Sequence, residues 1–240
     1  MPQSLTGSSK QIDFSSVLAA AVHDMKNSLC LLIQSIEELS HSIDASNTKA
    51  SRQVADVHYE ATRLNTSLVQ LLSLYRAQLD NLPITVDECF VADLLADVMD
   101  AVSIYHQQKA FTVTIDCDEN LSWYLDSELI YLLVNDAVIN ALRYGQSQIH
   151  IAAKQEDGRL CISVEDDGSG YPATMLDKCQ TELAEFTLSE GRTGLGLFFA
   201  RMIASAHTRA AGSNESQVKG EINLTNGGLL GGSVFMVKIP

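Results

Sequence analysis

His23 is followed directly by Asp24 and, one helical turn later, by Asn27. A histidine that is neutral near physiological pH offers an unprotonated ring nitrogen as a nucleophile. Asp24 can accept the other ring proton or hold a water. Asn27 shares one side of a helix with His23 and can orient a water for hydrolysis. His23 also lies one position past the apolar Val22, which sets it beside a seam and towards solvent. Taken alone, the window reads more plainly as an ordinary solvated helix face.

A second group begins where Leu160–Val164 runs as a strand into Glu165-Asp166-Asp167-Gly168-Ser169-Gly170-Tyr171-Pro172. A carboxylate at the end of a buried strand accepts hydrogen bonds and donates none. It therefore suits the exocyclic amine of adenine and disfavours the carbonyl that guanine presents there. Gly168 and Gly170 let backbone approach a ligand closely. A dinucleotide-binding turn is excluded by context, because no helix and parallel strand follow and no acid stands where a ribose contact is expected. A plain glycine-rich turn remains open.

Two further segments point to phosphate. Arg192-Thr193-Gly194-Leu195-Gly196-Leu197 opens a helix, and backbone amides at a helix start favour anions. It is no P-loop, since Gly-x4-Gly-Lys-Ser/Thr is absent from the chain. Helix entry with flexible punctuation is the plainer reading. Asn140-Ala141-Leu142-Arg143-Tyr144 closes another helix. Asn140 supplies a neutral oxygen suited to Mg²⁺, Arg143 can pair with phosphate, and Tyr144 can line a nucleotide pocket. A buried structural asparagine at a helix end is the competing reading.

The elements that must carry these residues fall into two halves. Up to Leu82 the apolar spacing is helical, with one stripe at Val22, Met25, Leu29, Leu32, Ile36, Leu39 and Ile43. A second runs Val54, Val57, Ala61, Leu64, Leu68, Leu71 and Tyr75, and the polar turn Asp44–Thr48 separates them. Two helices on a short loop make an antiparallel hairpin, which buries too little alone and seeks a second copy in a four-helix bundle. Asn81-Leu82-Pro83 ends the second helix.

Beyond it the pattern predicts strands at Ile84–Cys89, Phe111–Cys117, Trp123–Leu125, Ile149–Lys154, Leu160–Glu165, Glu221–Thr225 and Ser233–Ile239. Helices are predicted at Val91–His106, Ser127–Tyr144 and Gly194–His207. This is an α+β sandwich with helices on one sheet face. Asp167–Thr193 and Thr208–Lys219 lack periodicity, and the first is long enough to serve as a lid. The expected domains are residues 1–82 and 83–240.

Charge narrows the partners. The net charge of −14 is uneven: residues 1–82 hold six Lys/Arg against eight Asp/Glu, and the remainder ten against twenty-two. Such a surface repels nucleic acid, and an anionic nucleotide would need Mg²⁺ beside it. No apolar run reaches the length of a membrane span and no secretory leader opens the chain, so the expectation is a soluble, cytoplasmic protein. Five singly placed cysteines, Cys30, Cys89, Cys117, Cys161 and Cys179, give neither a disulfide framework nor a zinc site, and read as small buried hydrophobes.

His23-Asp24-Met25-Lys26-Asn27-Ser28-Leu29 resembles the phosphoacceptor box of sensor histidine kinases. The order Asn140 box, Asp166-x-Gly168-x-Gly170, then Gly194-Leu195-Gly196-Leu197 resembles the ATPase domain shared by histidine kinases, gyrase-type topoisomerases and MutL-like proteins. Gly231–Pro240 is similar to the last strand of the histidine-kinase branch, so the resemblance spans residues 15 to 240. It implies a dimeric phosphoacceptor hairpin followed by a Bergerat-type ATP-binding domain. The implied reaction is autophosphorylation of His23 from Mg·ATP and transfer to an aspartate of a response regulator's receiver domain. Asp24 would assist phosphorylation, and Asp24 with Asn27 would assist dephosphorylation of the partner.

The chain departs from that family at several points. Asp136, four before Asn140, stands where most histidine kinases carry Asn, and hydrolytic relatives place a water-activating carboxylate there. It can bind Mg²⁺, act as a base or raise ATP hydrolysis. In the lid only Phe186 matches the usual aromatic pair, and Arg192 replaces a glycine. Twenty-two residues precede His23, so the expectation includes a sensor acting in trans, a fragment, or a phosphotransferase with an idle ATP site. A nucleotide-switched module that binds a regulator is a further reading.

Overall fold

The computed structural model describes residues 14–44, 47–79, 84–109, 111–180, 194–210 and 217–240. Two long helices come first, α1 (Phe14–Ser42) and α2 (Thr48–Leu79). Asn47 starts the second: its side-chain oxygen accepts from Ala50 N at 3.2 Å and its carbonyl from Ser51 N at 3.1 Å. The helices lie side by side, and each apolar stripe divides into two rows of heptad spacing. Ile36, Val54 and Ala61 are buried between the helices, with Ile33 and Ile43 against them. Met25, Leu32 and Leu39 on α1, and Val57 and Leu64 on α2, are all exposed. Sequence periodicity assigned each stripe to one seam; the geometry divides it into a buried row and an exposed row.

The second half comprises β1 (Asp87–Phe90), α3 (Val91–Lys109), β2 (Thr112–Cys117), β3 (Ser122–Leu125), α4 (Ser127–Tyr144), β4 (Gln148–Glu156) and β5 (Arg159–Asp166). It continues with α5 (Ala173–Gln180), α6 (Gly194–Ala206), β6 (Thr208–Ala210), β7 (Gln217–Lys219), β8 (Glu221–Asn226) and β9 (Ser233–Ile239). Five strands form one sheet in the order β2-β4-β5-β9-β8. Only β2 and β4 run parallel; the other neighbours are antiparallel. Asp157 and Gly158, both at positive φ (49° and 71°), close the β4–β5 hairpin, as a primed turn requires.

Alternation places Ile149, Ile151, Leu160, Ile162, Val164, Val237 and Ile239 in one continuous core. Helices α3, α4 and α6 complete that core with Val91, Leu95, Val98, Ile130, Val138, Leu142, Phe199 and Ile203. Each such aliphatic side chain contributes about 1.5–3 kcal/mol by leaving water. The result is the expected α+β sandwich. Ala55 of α2 joins the same core, with Tyr59 packed against it, so the helical half rests on the sandwich.

The α4 entry is built with care. The Asp126 carboxylate accepts from Leu129 N at 3.0 Å as an N-cap and from Thr85 N at 2.8 Å. Its backbone N–H donates to Nε2 of the buried His207 at 3.0 Å, and His207 Nδ1 donates to Ile203 O at 2.8 Å.

Some expectations need correction. The predicted strand Ile84–Cys89 is shorter and shifted, to Asp87–Phe90, because Thr85 is tied to Asp126 before pairing with β3 begins. The supposedly aperiodic Asp167–Thr193 contains α5, whose two turns begin where Pro172 O accepts from Met175 N; so short a helix leaves little periodicity to read. Likewise Thr208–Lys219 contains the three-residue strands β6 and β7, paired antiparallel. Of the cysteines, Cys161 is buried, Cys89 and Cys117 are intermediate and Cys30 is exposed; all four are free thiols. Cys30 is exposed because it projects away from the Ile36 seam. Cys179 lies in α5, outside the described side chains.

Candidate nucleotide and phosphoacceptor sites

Asp166 is the pivot of the candidate nucleotide site. It ends β5, is only 4 % exposed, and pairs across to Ile149 of β4. Its Oδ1 accepts from Gly168 N at 2.7 Å and from Ser233 N at 3.3 Å. Among the described residues no hydrogen bond is made to Oδ2. The carboxylate is thus fixed through one oxygen and keeps the other for a donor such as an adenine amine.

The glycines fit a turn pressed against the end of α4. A Cβ on Gly168 would collide with the Tyr144 carbonyl and lie 2.8 Å from Asp166 Oδ1. Gly170 has φ +82°, and a Cβ there would lie 2.8 Å from Asn226 Cγ. Asn226 then clasps the next residue, accepting from Tyr171 N at 2.7 Å and donating to Tyr171 O at 2.9 Å.

On α4, Asn140 is exposed and its Nδ2 donates to Asp136 Oδ2 at 3.3 Å. This hydrogen bond turns the amide so that Oδ1 points elsewhere. A carboxamide oxygen with a neighbouring carboxylate is a hard-oxygen donor pair, which fits Mg²⁺ completing its shell with phosphates and water. No group of three or more His, Cys, Asp or Glu side chains capable of holding a metal occurs among the described residues. Burial pushes the Asp136 carboxyl up to about 6, against the opposing hydrogen bond from Asn140.

Arg143 and Tyr144 are exposed at the end of the same helix. The guanidinium lies 5.2 Å from the Tyr144 ring centroid and 5.9 Å from that of Tyr59, with Nη1 to the Tyr59 hydroxyl at 3.3 Å. Arg143 therefore faces α2 in this arrangement. Gly194, Leu195, Gly196 and Leu197 form the first turn of α6, as predicted, with Gly196 and Leu197 partly buried and the side chains of the first two outside the described ones. Arg192, Thr193 and Phe186 lie outside the described residues, as does the expected hinge 80–83.

His23 lies within α1, but its side chain is outside the described ones. Asp24 and Asn27 are exposed on the same helix, and Ser28 Oγ donates to Asp24 O at 3.0 Å. The structure thus brings Asp136, Asn140, Asp166, Gly168 and Gly170 onto one end of the sheet and α4, while Asp24 and Asn27 belong to the helical half. A separate cavity of about 390 Å³, lined in part by Asp116, Asp118 and Lys154, contains none of these residues.

Sequence reasoning missed Ser233, Asn226, Asp167 and Tyr59. Ser233 reaches Asp166 because β9 pairs with β5, a fact of register. The Asn226-Gly227-Gly228 turn signal was available, but not its target.

Residues 125–240 match the family described as histidine kinase-, DNA gyrase B-, and HSP90-like ATPase. The signal transduction histidine-protein kinase AfsQ2 of Streptomyces coelicolor is 27 % identical over 185 residues, 75 % of this chain and 31 % of the relative. The sensor protein SrrB of Staphylococcus aureus is 24 % identical over 233 residues, 93 % of this chain and 37 % of the relative. The chain thus spans about a third of the length of these curated relatives. Full-length ShkA, solved in complex with AMPPNP, superposes with a TM-score of 0.60 at 18 % identity, covering 94 % of this chain and 46 % of that one. That likeness speaks for the fold.

Proposed function

We propose that this chain, a homologue of sensor histidine kinases whose residues 125–240 match the ATPase family, is a kinase core that phosphorylates its own His23 from ATP. The observation that carries the reading is the Asp166 carboxylate, anchored through Oδ1 alone on a turn packed against the asparagine-bearing helix. That arrangement selects adenine at one end and directs the phosphates towards Asn140. The ATP-analogue complex of the structurally similar ShkA supports the same use of the fold.

In the reaction, an unprotonated ring nitrogen of His23 attacks the γ-phosphorus in line. The N–P bond forms as the bond to the β-γ bridging oxygen breaks, and ADP leaves. Asp24 accepts or holds the other ring proton. Mg²⁺, held by Asn140 with Asp136 beside it, would neutralise the phosphate charge. Gly168 and Gly170 keep side chains out of the adenine turn, and the first turn of α6, Gly194–Leu197, with Arg192 and Thr193 before it, offers amides to the phosphates. Arg143 pairs with phosphate after leaving Tyr59, and Tyr144 lines the pocket.

The phosphoryl group then passes to an aspartate of a response regulator's receiver domain. Asp24 and Asn27 orient the water for the reverse, dephosphorylating, duty. The exposed rows Met25/Leu32/Leu39 and Val57/Leu64 favour a homodimer through a four-helix bundle. No helix among the described residues is long and apolar enough to cross a membrane. We place the reaction in the cytoplasm, with a sensor supplying the stimulus in trans or from chain beyond this sequence.

The test is incubation with γ-labelled ATP and Mg²⁺ beside His23→Gln and Asn140→Ala variants. Acid-labile label on the parent and on neither folded variant is the expected result. A folded, dimeric parent that binds ATP yet takes no label points instead to a phosphotransferase loaded by another protein.

A further inference from the structure

Two neighbouring carboxylates end β5, and they serve different masters. Asp166 faces the adenine side. Asp167 turns to the loop that leaves the asparagine-bearing helix: its Oδ1 accepts from Gln146 N at 2.7 Å and Ser147 N at 2.9 Å. Its Oδ2 accepts from the Ser147 hydroxyl at 2.7 Å and lies 3.0 Å from Ser147 N. Gln146 and Ser147 follow α4 directly, after Gly145 N has closed the helix on Ala141 O at 2.8 Å. On the other side of the same joint, the Tyr144 carbonyl sits against Gly168, and a Cβ on Gly145 would be 3.2 Å from Asp166 Cβ.

We propose that Asp167 is a positioning residue that fixes the α4 asparagine against the adenine carboxylate, so that the phosphate–Mg²⁺ arm and the adenine arm of the site keep one spacing. The proposal rests on the nucleotide-site reading above. Peptide bonds link Asp167 to both Asp166 and Gly168, so its hold on residues 146–147 registers the helix end to the turn within a few atoms. Asp166 keeps its own anchors, Gly168 N and Ser233 N, whatever becomes of Asp167. Losing Asp167 therefore separates the arms without removing either.

Burial alone would raise the Asp167 carboxyl. The Ser147 amide and hydroxyl, with the Gln148 and Gln146 amides, outweigh it and hold the group well below the usual carboxylate range. The brace is thus ionised wherever the protein is folded and active, consistent with a fixed strut rather than a switch.

Equilibrium titration of the full chain with adenosine, and with ATP with and without Mg²⁺, tests this in wild type, Asp167→Asn and Ser147→Ala. Asp167→Asn is expected to hold adenosine within about twofold of wild type while the Mg²⁺-dependent gain in ATP affinity falls about tenfold, as for other groups that orient metal ligands. Ser147→Ala, which removes only the hydroxyl, shifts the same quantity less and decides the matter if Asp167→Asn fails to fold. Equal losses for adenosine and Mg·ATP would make Asp167 a general brace of the fold and overturn the proposal. Unchanged binding of both ligands by folded variants would also overturn it, and would leave the site itself standing. A wild type that binds neither ligand would remove the site and the proposal together.

Discussion

The helical half and the sandwich dispose of their apolar residues in opposite ways. The sandwich buries them in one core reaching from Val91 to Ile239, with Val98, Ile130, Val138 and Ile203 fully shielded. The two helices bury a short row, Ile36, Val54 and Ala61, and leave Met25, Leu31, Leu32, Leu39, Val57 and Leu64 exposed. A domain that closes its core on itself is ready to bind a small ligand. One that leaves a heptad row open is where the proposed dimer would pack a second copy. The contrast matches the proposed labour, with nucleotide held in the first and phosphoryl exchange carried out on the second.

The contrast breaks first at the open rows. A Leu32→Asp/Leu64→Asp double variant should convert two chains into one in sedimentation. In the proposed symmetric dimer four leucines would lose their burial, so affinity falls on the order of a thousandfold or more. The sandwich should keep its own melting transition. Leu142→Ala should do the reverse, costing about 2–5 kcal/mol in denaturant unfolding while sedimentation stays unchanged.

Asp136 sharpens the comparison from within the sandwich. Its carboxyl is raised to about 6 by burial. The nucleotide-free fold therefore binds that proton more tightly than the unfolded chain, and wild type loses stability as pH climbs from the ordinary carboxylate value through 6. Asp136→Asn, which cannot ionise, should be more stable than wild type by about 1–3 kcal/mol at pH 8, with the difference vanishing near pH 4. Denaturant melts at both pH values check it; equal gains at both would point to packing instead.

The smallest effect concerns the join. Tyr59→Phe deletes the hydrogen bond to Arg143 at a cost of about 0.5–1.5 kcal/mol. In the proposed reaction that contact opens for the sandwich to reach His23, so the initial rate of His23 labelling should rise about two- to tenfold. A slower rate would mean that Tyr59 serves the reactive arrangement.

How much could be read beforehand depended on how local each feature is. Asp166, Gly168, Gly170 and the Asn140 helix were visible because strand end, glycine and helix end lie close together in the chain. So were the β4–β5 turn and the alternation of β4, β5 and β9. Ser233 was not, since its approach to Asp166 follows from which strand lies beside β5. Tyr59 looked like one more residue of a helix, and its contact with Arg143 spans the two halves. The division of each helical stripe into an inner and an outer row was equally hidden, because both rows share one hydrophobic period. Asp167 stood in plain view inside the glycine-rich turn, but its partners lie 20 residues back in sequence.

Asp126 carries a consequence for anyone building chimaeras from this chain. One carboxylate caps the asparagine-bearing helix through Oδ1 and also grips Thr85 N through Oδ2. A graft that joins a foreign signalling helix upstream of residue 84 leaves that grip intact. The cap on Leu129 N uses the other carboxylate oxygen and survives wherever the chain is joined, and the Thr85 contact needs only a backbone N–H, which any residue but proline supplies at position 85. The constraint on a junction here is therefore chemical rather than positional: proline at 85 alone would remove the donor and leave one carboxylate oxygen unpaired.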